Sequence, residues 1–503
     1  MHNTHHPTTK KTQNTMVTED QKQSNPTMPE VLEELETMKD IGLPITAINL
    51  VGYLRGMVSV VCMGRLGSLE LAAGALAVGF TNITGYSILS GLASGMEPLC
   101  SQAFGSGNTA LASLTLRRTI LLLLLASAPI SLLWVSLEPI MVALKQDREV
   151  ARVASSYCAC AVPDLVANSF LHPLRVYFRS KCAPRPVMWC ALLALLLHLP
   201  ITAFLAFHLR LGVPGVAIAG FCTNFNTLAL LLCYTLYARN PPNYAPLTSL
   251  TPPTAGGEWV SLLRLALPSC AAVCLEWWWY ELMTIMSGYL RNPRVALATS
   301  AIVIQTTSLM YTLPATLASS TSARVGNELG AGRPARARLA AAVAMGLAFL
   351  SACLGLMLTT LGKEAWVGVF TKDKEVLELT LAVLPLVGLC ELANCPQTTG
   401  CGVLRGSARP SIGAVINLCS FYLIGAPVAV VLGFGFGFGF VGLVLGLLSA
   451  QMACVVSVVA VICGTDWERE AMKAKELVGW VEMDAAVKHK CGREEEFFGE
   501  LGL

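Results

Sequence analysis

Apolar residues occur along this chain in long blocks that short polar segments separate. Each block is long enough to cross the hydrocarbon core of a bilayer, because about 20 residues of helix span roughly 30 Å. Lipid leaves unpaired backbone groups unsatisfied, and no block shows the alternation of a barrel strand, so we predict that each block is a helix. The twelve predicted spans are 41–63, 71–94, 118–140, 154–174, 187–208, 213–236, 262–288, 297–319, 339–361, 379–400, 412–432 and 441–463.

The polar segments divide the predicted fold into parts. A polar linker, 241–260, separates six spans in an N-lobe, 38–240, from six in a C-lobe, 261–464. Residues 1–37 are predicted to be a disordered tail without a signal peptide, because they are polar and contain no apolar h-region. We expect residues 30–39 to form a short amphipathic helix ahead of the first span.

The charged segment 465–503 is predicted to be a tail, with two interpretations open. Either it contains a helix that touches lipid through Trp467 and Trp480, or it is a solvated helix with no partner. Basic residues are concentrated in the loops on the side of the two tails, so both tails are predicted to face the cytosol. No address motif distinguishes the plasma membrane from the vacuole or the Golgi.

The second half of the chain repeats the first. A shift of 224 residues places Leu43 on Leu267 and Pro44 on Pro268. Because both halves begin on the same side of the membrane, they are parallel repeats related by an axis along the membrane normal, a plan found in many secondary transporters. The predicted fold is therefore all-α, with twelve transmembrane helices in two pseudo-symmetric lobes of six.

The seventh span carries two carboxylates, Glu276 near its middle and Glu281 one and a half turns later. A charge at that depth costs roughly 2.5 to 3.5 kcal/mol, so intramembrane acids usually face a bundle interior or a water-filled cavity. We predict a proton and substrate site there, with Tyr280 stacked beneath Glu276 and Trp277 able to hold a cation by its ring face. Alternatively, both acids are neutral and hydrogen-bonded to neighbouring helices.

The two acids do not share one face of an ideal helix, since five residues at about 100° each place them roughly 140° apart. Either the site is a wide cavity that wraps the helix, or the span bends at Pro268.

The distribution of acids differs between the halves. The tenth span adds Glu391, whereas the first-half positions that match Glu276 and Glu281 are Gly52 and Met57. Asp164, near the predicted start of the fourth span, is interpreted as interfacial. We therefore expect intramembrane acids only in the C-lobe, which would handle protons, while cargo binds between the lobes.

Composition supports a membrane protein and excludes other classes. Of the 503 residues, 54% are hydrophobic and 13% charged, with a mean hydropathy of +0.60, whereas soluble domains carry about 25% charged residues. The net charge of +3 gives no reason to expect nucleic acid. No nucleophile and base pair emerges, so we expect no enzyme and no cofactor. The 18 cysteines lack paired spacing, and His2, His5 and His6 belong to the disordered tail, so no metal site is predicted.

Two glycine-containing loops lie at matching places in the halves. One carries Glu97 and Gln102, and the other carries Arg324, Asn327 and Glu328. These groups form an inner gate, or they cap helices and fasten each loop to its own lobe, which is the interpretation we prefer. Neither loop has the lysine and spacing of a phosphate-binding Walker motif.

The motifs MEPLCSQAFGSGN (96–108) and ARVGNELGAGRP (323–334), with twelve spans and two acids in the seventh, resemble the multidrug and toxic compound extrusion (MATE) family, in its plant detoxification branch. The resemblance covers about 38–465 and implies a V-shaped MATE/MOP-type fold that exports small organic solutes against a proton or sodium gradient. It assigns coupling and cation recognition to acids of the seventh and tenth spans, here Glu276, Glu281 and Glu391.

The chain departs from the family pattern in two spans. Asn49 and Arg55 replace a coupling acid of the first span, and Gln305, Thr306 and Thr307 replace an acid of the eighth. Fewer anionic oxygens remain for a cation, so we expect proton coupling in the second lobe. The acids of that lobe favour cationic or neutral cargo. We also expect the protein to be a monomer. Two other functions remain open, a lipid-linked substrate flippase of related fold and a non-transporting receptor or scaffold. Mostly acidic intramembrane charge argues against the flippase, with Arg55 the exception.

Overall fold

Helices account for the fold of this computed structural model, which describes residues 26–237 and 256–479 and, for 256–258, the backbone alone. Twelve helices in this part of the chain are long and apolar enough to cross a membrane, which confirms the predicted fold class. We number them α1 (Met28–Leu66), α2 (Ser68–Gly105), α3 (Thr109–Val135), α4 (Arg148–Ser180), α5 (Arg185–His208), α6 (Val213–Tyr237), α7 (Gly256–Ser287), α8 (Pro293–Gly330), α9 (Pro334–Leu361), α10 (Lys374–Gly406), α11 (Pro410–Gly435) and α12 (Phe440–Cys463).

Shorter helices complete the fold. Leu137–Ala143 and Lys363–Phe370 follow α3 and α9. A last helix, 467–479, follows α12, and we call it the carboxyl-terminal helix. The end of the bundle where α1 begins and α12 ends is called the termini face.

The first helix is longer than predicted. Residues 30–39 continue directly into α1 and are not a separate helix ahead of the span. Thr27 and Glu30 form a capping box at its start, in which the Thr27 backbone N–H donates to Glu30 Oε2 at 2.8 Å. Met38 and Ile41 are buried, so the amphipathic segment packs on the protein as part of the helix.

Each half of the chain packs around its own core. In lobe 1 (α1–α6), Leu89, Trp134 and Leu165 belong to one cluster of buried side chains. In lobe 2 (α7–α12), Trp279 and Phe421 belong to another. These clusters fix the helices that line the space between the lobes.

The lobes meet mainly along three pairs of helices, α2 with α7, α2 with α8 and α1 with α8. Small residues allow the close approach of α2 and α7, since a side chain at Gly91 or Gly95 would collide with the backbone of Cys270 or Ala266. Between α1 and α8, Asn49 Nδ2 donates a hydrogen bond to Thr316 Oγ1 at 3.1 Å.

The carboxyl-terminal helix packs against the termini face. Its Ala471 and Ala474 are buried in a cluster with residues of α1, α8, α9 and α10, and Val478 is buried in a cluster with residues of α2, α3, α4 and α7. Glu470 is buried and pairs with Arg409. The interpretation as a solvated helix without a partner is therefore wrong, and the helix contacts both lobes. Trp480 and the amino-terminal histidines His2, His5 and His6 lie outside the described residues.

Candidate substrate and proton site

A cavity of about 450 Å³ lies between the lobes. Helices of both lobes line it, with Asn49, Gly52 and Arg55 on α1 and Glu276 and Trp277 on α7. Its volume falls within the range of about 300 to 1,000 Å³ that is usual for sites of small organic molecules. Gly52 and Glu276, which the repeat predicts to be equivalent, therefore lie on opposite walls of one chamber.

Glu276 is the free acid of this cavity. Its side chain is 8% exposed, and within the described residues its carboxylate has no hydrogen-bond partner. Trp277 lies next to it on the wall, near the Tyr311 hydroxyl of α8. The carboxylate can therefore take up a proton or accept a hydrogen bond from a solute without first breaking a contact.

Glu391 lies behind the wall and does not line the cavity. It is 1% exposed, and its Oε2 accepts a hydrogen bond from Asn394 Nδ2 at 3.1 Å. Its charge and that of Glu276 are close enough to interact, and both are close to Tyr280. Tyr280 in turn accepts a hydrogen bond from Gln451 Nε2 at 3.4 Å. Glu276, Tyr280 and Glu391 thus form one buried polar group in lobe 2.

Glu281 does not join them. It faces α2 near Gly79 and is absent from the cavity wall. Because α7 continues as a helix through Pro268, the 140° separation expected for an ideal helix directs the two side chains to different surroundings.

Lobe 1 also contains an intramembrane acid, contrary to the sequence prediction. Asp164 is 4% exposed and accepts hydrogen bonds from Tyr86 Oη and Asn224 Nδ2, both at 2.7 Å. The prediction was wrong because α4 begins at Arg148, so Asp164 lies near the middle of the helix and not at the interface. Arg55 Nη1 donates to Asn224 Oδ1 at 2.8 Å, which links the acid to a base through one amide.

Sequence reasoning also missed arginines that line the cavity. Arg175 and Arg179 of α4 and Arg405 of α10 join Arg55 on its wall. From sequence they were assigned to loops, because they lie near helix ends. The argument from acidic intramembrane charge against a flippase therefore does not apply to this cavity.

Glu97 closes the cavity toward the termini face. Its carboxylate pairs with Arg179 of its own lobe and, at 3.2 Å, with Arg405 of lobe 2. Gln102 Nε2 donates to the Gly406 carbonyl oxygen across the same boundary at 3.0 Å. The contact with Arg179 lies within lobe 1, whereas the contacts with Arg405 and Gly406 join the two lobes.

A second set of contacts crosses the boundary from α8. Arg324 donates to both carboxylate oxygens of Glu34 on α1, at 2.8 and 2.6 Å, and pairs with Glu328 one turn further along α8. Asn327 Nδ2 donates to Cys182 Sγ, after α4, at 3.0 Å. We call these contacts, with those of Glu97 and Gln102, the termini-face seam.

Backbones approach closely in the seam. A side chain on Gly105 would collide with the backbone of Asn327, and one on Gly330 with the backbone of Gln102. The glycines of both loop motifs are thus required for contact between α2 and α8. No group of three or more metal-binding side chains occurs in the described part of the chain.

A twelve-helix bundle with a polar chamber between two lobes is the architecture of a membrane transporter. Comparisons with known proteins identify its family. Residues 44–204 and 268–431 match the family model MatE. Protein DETOXIFICATION 55 of Arabidopsis thaliana is 60% identical over 466 residues, which cover 90% of this chain and 93% of that protein. Protein DETOXIFICATION 51 of the same plant is 49% identical, over 90% of this chain and 85% of that protein.

A solved structure agrees. The crystal structure of the eukaryotic MATE transporter AtDTX14 superposes with a TM-score of 0.84 at 31% identity, covering 89% of this chain and 100% of that one. The chain belongs to the MatE family of MATE transporters. It is accordingly a multi-pass membrane transporter and not an enzyme, as the motifs indicated.

Proposed function

We propose that the protein exports organic solutes across a membrane in exchange for protons, by alternating access to the cavity between its lobes. The observation that carries this proposal is Glu276, a carboxylate in a membrane-spanning helix that lines the cavity and is free of hydrogen-bond partners among the described residues. A buried charge is costly in the membrane, so protonation of this group changes the stability of each state in which it is enclosed.

Exchange requires that a proton and the solute favour different states. A ligand shifts an equilibrium only by its differential affinity for the two states. A charged Glu276 accepts a hydrogen bond or ion pair from the solute, and a protonated Glu276 no longer offers the charge. Uptake of a proton therefore releases the solute, while loss of the proton to the other side prepares the site for the next one.

The termini-face seam serves as the inner gate in this proposal. Its pairs cross from lobe 1 to lobe 2 at Glu97–Arg405 and Glu34–Arg324. Breaking such partly buried ion pairs costs more than breaking exposed ones, whose contribution is about 0 to 1 kcal/mol. The pairs hold the termini face closed until lobe movement separates them.

Transport in proteoliposomes tests the exchange. Counterflow of a panel of labelled organic solutes is measured with an imposed pH gradient, an equal sodium gradient or neither. We expect accumulation to follow the pH gradient and to collapse when a protonophore is added. Accumulation driven by sodium alone, with no response to pH, would contradict proton exchange.

The gate is tested with Glu97→Gln. Loss of the carboxylate that holds Arg179 and Arg405 is expected to open the termini face more often, raising thiol labelling of Cys182 several-fold relative to the wild type, because a buried ion pair is lost. The matched control is Glu33→Gln, which removes an exposed pair with Arg336 on the same face. Equal labelling in both variants would remove Glu97 from the gate.

A further inference from the structure

The cavity carries an excess of positive charge that proton coupling does not use. Four arginines and two glutamates line it, namely Arg55, Arg175, Arg179, Arg405, Glu97 and Glu276. A chamber meant only for cations has no need of these bases, since like charges raise the cost of binding.

Two of the arginines already have a partner. Arg179 and Arg405 both pair with the Glu97 carboxylate at the bottom of the cavity. That leaves Arg55 and Arg175 on the wall of lobe 1, while Glu276 lies on the wall of lobe 2. Of these three side chains on the wall, the two bases thus belong to lobe 1 and the acid to lobe 2, while Asp164 of lobe 1 is not on the wall.

Arg55 is held in place with part of its guanidinium free. One nitrogen, Nη1, donates to Asn224 Oδ1 at 2.8 Å, and Asn224 is itself fixed by Asp164 at 2.7 Å. A guanidinium has five N–H donors, so most of them remain available to the cavity. Its contact is a neutral amide, so its positive charge is not cancelled by direct pairing.

Arg175 lies close enough to Arg55 for the two charges to interact, and His172 beside them also lines the cavity. Among the described residues Arg175 has no ion pair, and its buried Nε has no hydrogen-bond partner. Two guanidinium groups on one wall, one with an unsatisfied buried donor, supply the kind of N–H donors that carboxylate, sulfate and phosphate groups bind.

We propose that Arg55 and Arg175 form a subsite for an anionic group of the transported solute, and that Glu276 accepts a hydrogen bond from a hydroxyl or amino group at the solute's other end. The solute class is therefore an organic acid with a donor group remote from its anion and an aromatic or apolar body between them. Trp277 and Tyr311 supply aromatic surface for that body.

This assignment rests on the proposed exchange and makes it more specific. A neutral or purely cationic solute, which the intramembrane acids alone favoured, leaves Arg55 and Arg175 without a partner. A solute bound at both ends competes with the proton at Glu276 only, so its anion can stay bound to lobe 1 while protonation weakens its hold on lobe 2.

Equilibrium binding to the purified transporter in detergent, without any gradient, tests the subsite. The probe is 6-hydroxy-2-naphthoate, compared with 6-hydroxy-2-naphthamide, which lacks the anion, and with 2-naphthoate, which lacks the donor. We expect the amide to bind about tenfold more weakly, the lower end of what a hydrogen bond to a charged group contributes. Equal binding of the hydroxynaphthoate and its amide by the wild-type protein would overturn the subsite without any variant.

Variants test which side chains cause the preference for the naphthoate over its amide. Arg55→Gln and Arg175→Gln should each reduce the naphthoate-over-amide ratio several-fold, and Arg175→Lys should retain part of it. Glu276→Gln should reduce the advantage of the hydroxyl group, because a neutral amide oxygen accepts a weaker hydrogen bond than a carboxylate, and should leave that of the anion. Arg185→Gln, which removes an exposed arginine paired with Asp40, is the matched control and should change neither. A preference that survives the double arginine variant would refute the assignment.

A phosphate-bearing lipid presents the same chemistry, so a second arm uses vesicles of phosphatidylglycerol with a fluorescent analogue of that lipid. We expect the lipid not to displace the probe and its flipping rate not to rise with the transporter. If the lipid displaces the probe and is also flipped by the transporter, the arginine subsite stands and solute export is refuted. If the protein shows no preference for the anion but pH-driven counterflow is intact, the subsite is refuted and the proposed export function stands.

Discussion

Each lobe encloses a carboxylate in the middle of its helices, but the two have different neighbours. Asp164 of lobe 1 accepts two hydrogen bonds of 2.7 Å and reaches Arg55 through Asn224. Glu276 of lobe 2 is free of such partners in the described part of the chain and lines the cavity. A fully bonded acid holds other groups in place, while an unbonded one can exchange its partner. We therefore infer that the lobes share an architecture and divide two tasks between them.

The largest expected effect on export is that of a substitution at Glu276. Glu276→Gln keeps the size of the side chain and removes its ability to lose a proton, so export driven by a pH gradient should fall at least about tenfold, equivalent to about 1.4 kcal/mol. Proteoliposome uptake under an imposed gradient measures this, with folding checked by size-exclusion chromatography. Full gradient-driven export by the variant would exclude Glu276 from coupling.

Asp164→Asn should give the opposite result. The amide has one acceptor oxygen where the carboxylate has two, so one of the bonds from Tyr86 and Asn224 is lost, and a hydrogen bond to a charged group contributes about 1.5 to 3 kcal/mol. We expect a lower midpoint of thermal unfolding in detergent, with the pH dependence of any remaining export unchanged. Glu276→Gln is the comparison here, because it should leave the midpoint close to that of the wild type. A reversal of the two midpoints would refute the division of tasks.

An intermediate effect is expected at Glu391, which lies behind the wall and interacts with Glu276 through charge. Glu391→Gln should reduce export about threefold, or less than 1 kcal/mol, because the group acts on the site from a distance. Initial rates at several values of pH measure it. Glu378→Gln, an exposed position on the same helix, is the control, and indistinguishable rates in the two variants would deny Glu391 a role.

The smallest effect is expected at Glu281. It faces α2 beside Gly79 and does not reach the cavity, so Glu281→Gln should change export less than about twofold, as is usual for substitutions away from a site. The same uptake assay decides this. A loss comparable to that of Glu276→Gln would restore the paired-acid site expected from the sequence.

Hydropathy alone predicted the twelve helices, because a bilayer constrains the length and composition of every span. The acids at positions 276 and 391 could also be found from sequence, since a charge within an apolar block is costly and therefore conspicuous. The 140° between Glu276 and Glu281 was also visible in the sequence, but the prediction kept both acids in one site by assuming a wide cavity or a bend at Pro268.

The remaining site residues depend on contacts between distant helices. Arg175 and Arg405 lie near helix ends, where arginine is expected on grounds of membrane orientation, and only packing turns them toward the cavity. Asp164 was misplaced because the polar first turns of α4 hide where the helix begins. The partners of Glu97, Arg179 in its own lobe and Arg405 in the other, are separated from it by 82 and 308 residues, and neither spacing nor composition reveals such pairs.

The attachment of the carboxyl-terminal helix has a consequence for the rate of the proposed transport cycle. Val478 and the pair Ala471 and Ala474 are held in clusters that involve different helices, and Glu470 ties the helix to Arg409. In a rocking mechanism the lobes cannot part at the termini face until one of these attachments is released. In the proposed mechanism, undocking of this helix is therefore a separate kinetic step, and it takes place outside all twelve membrane spans.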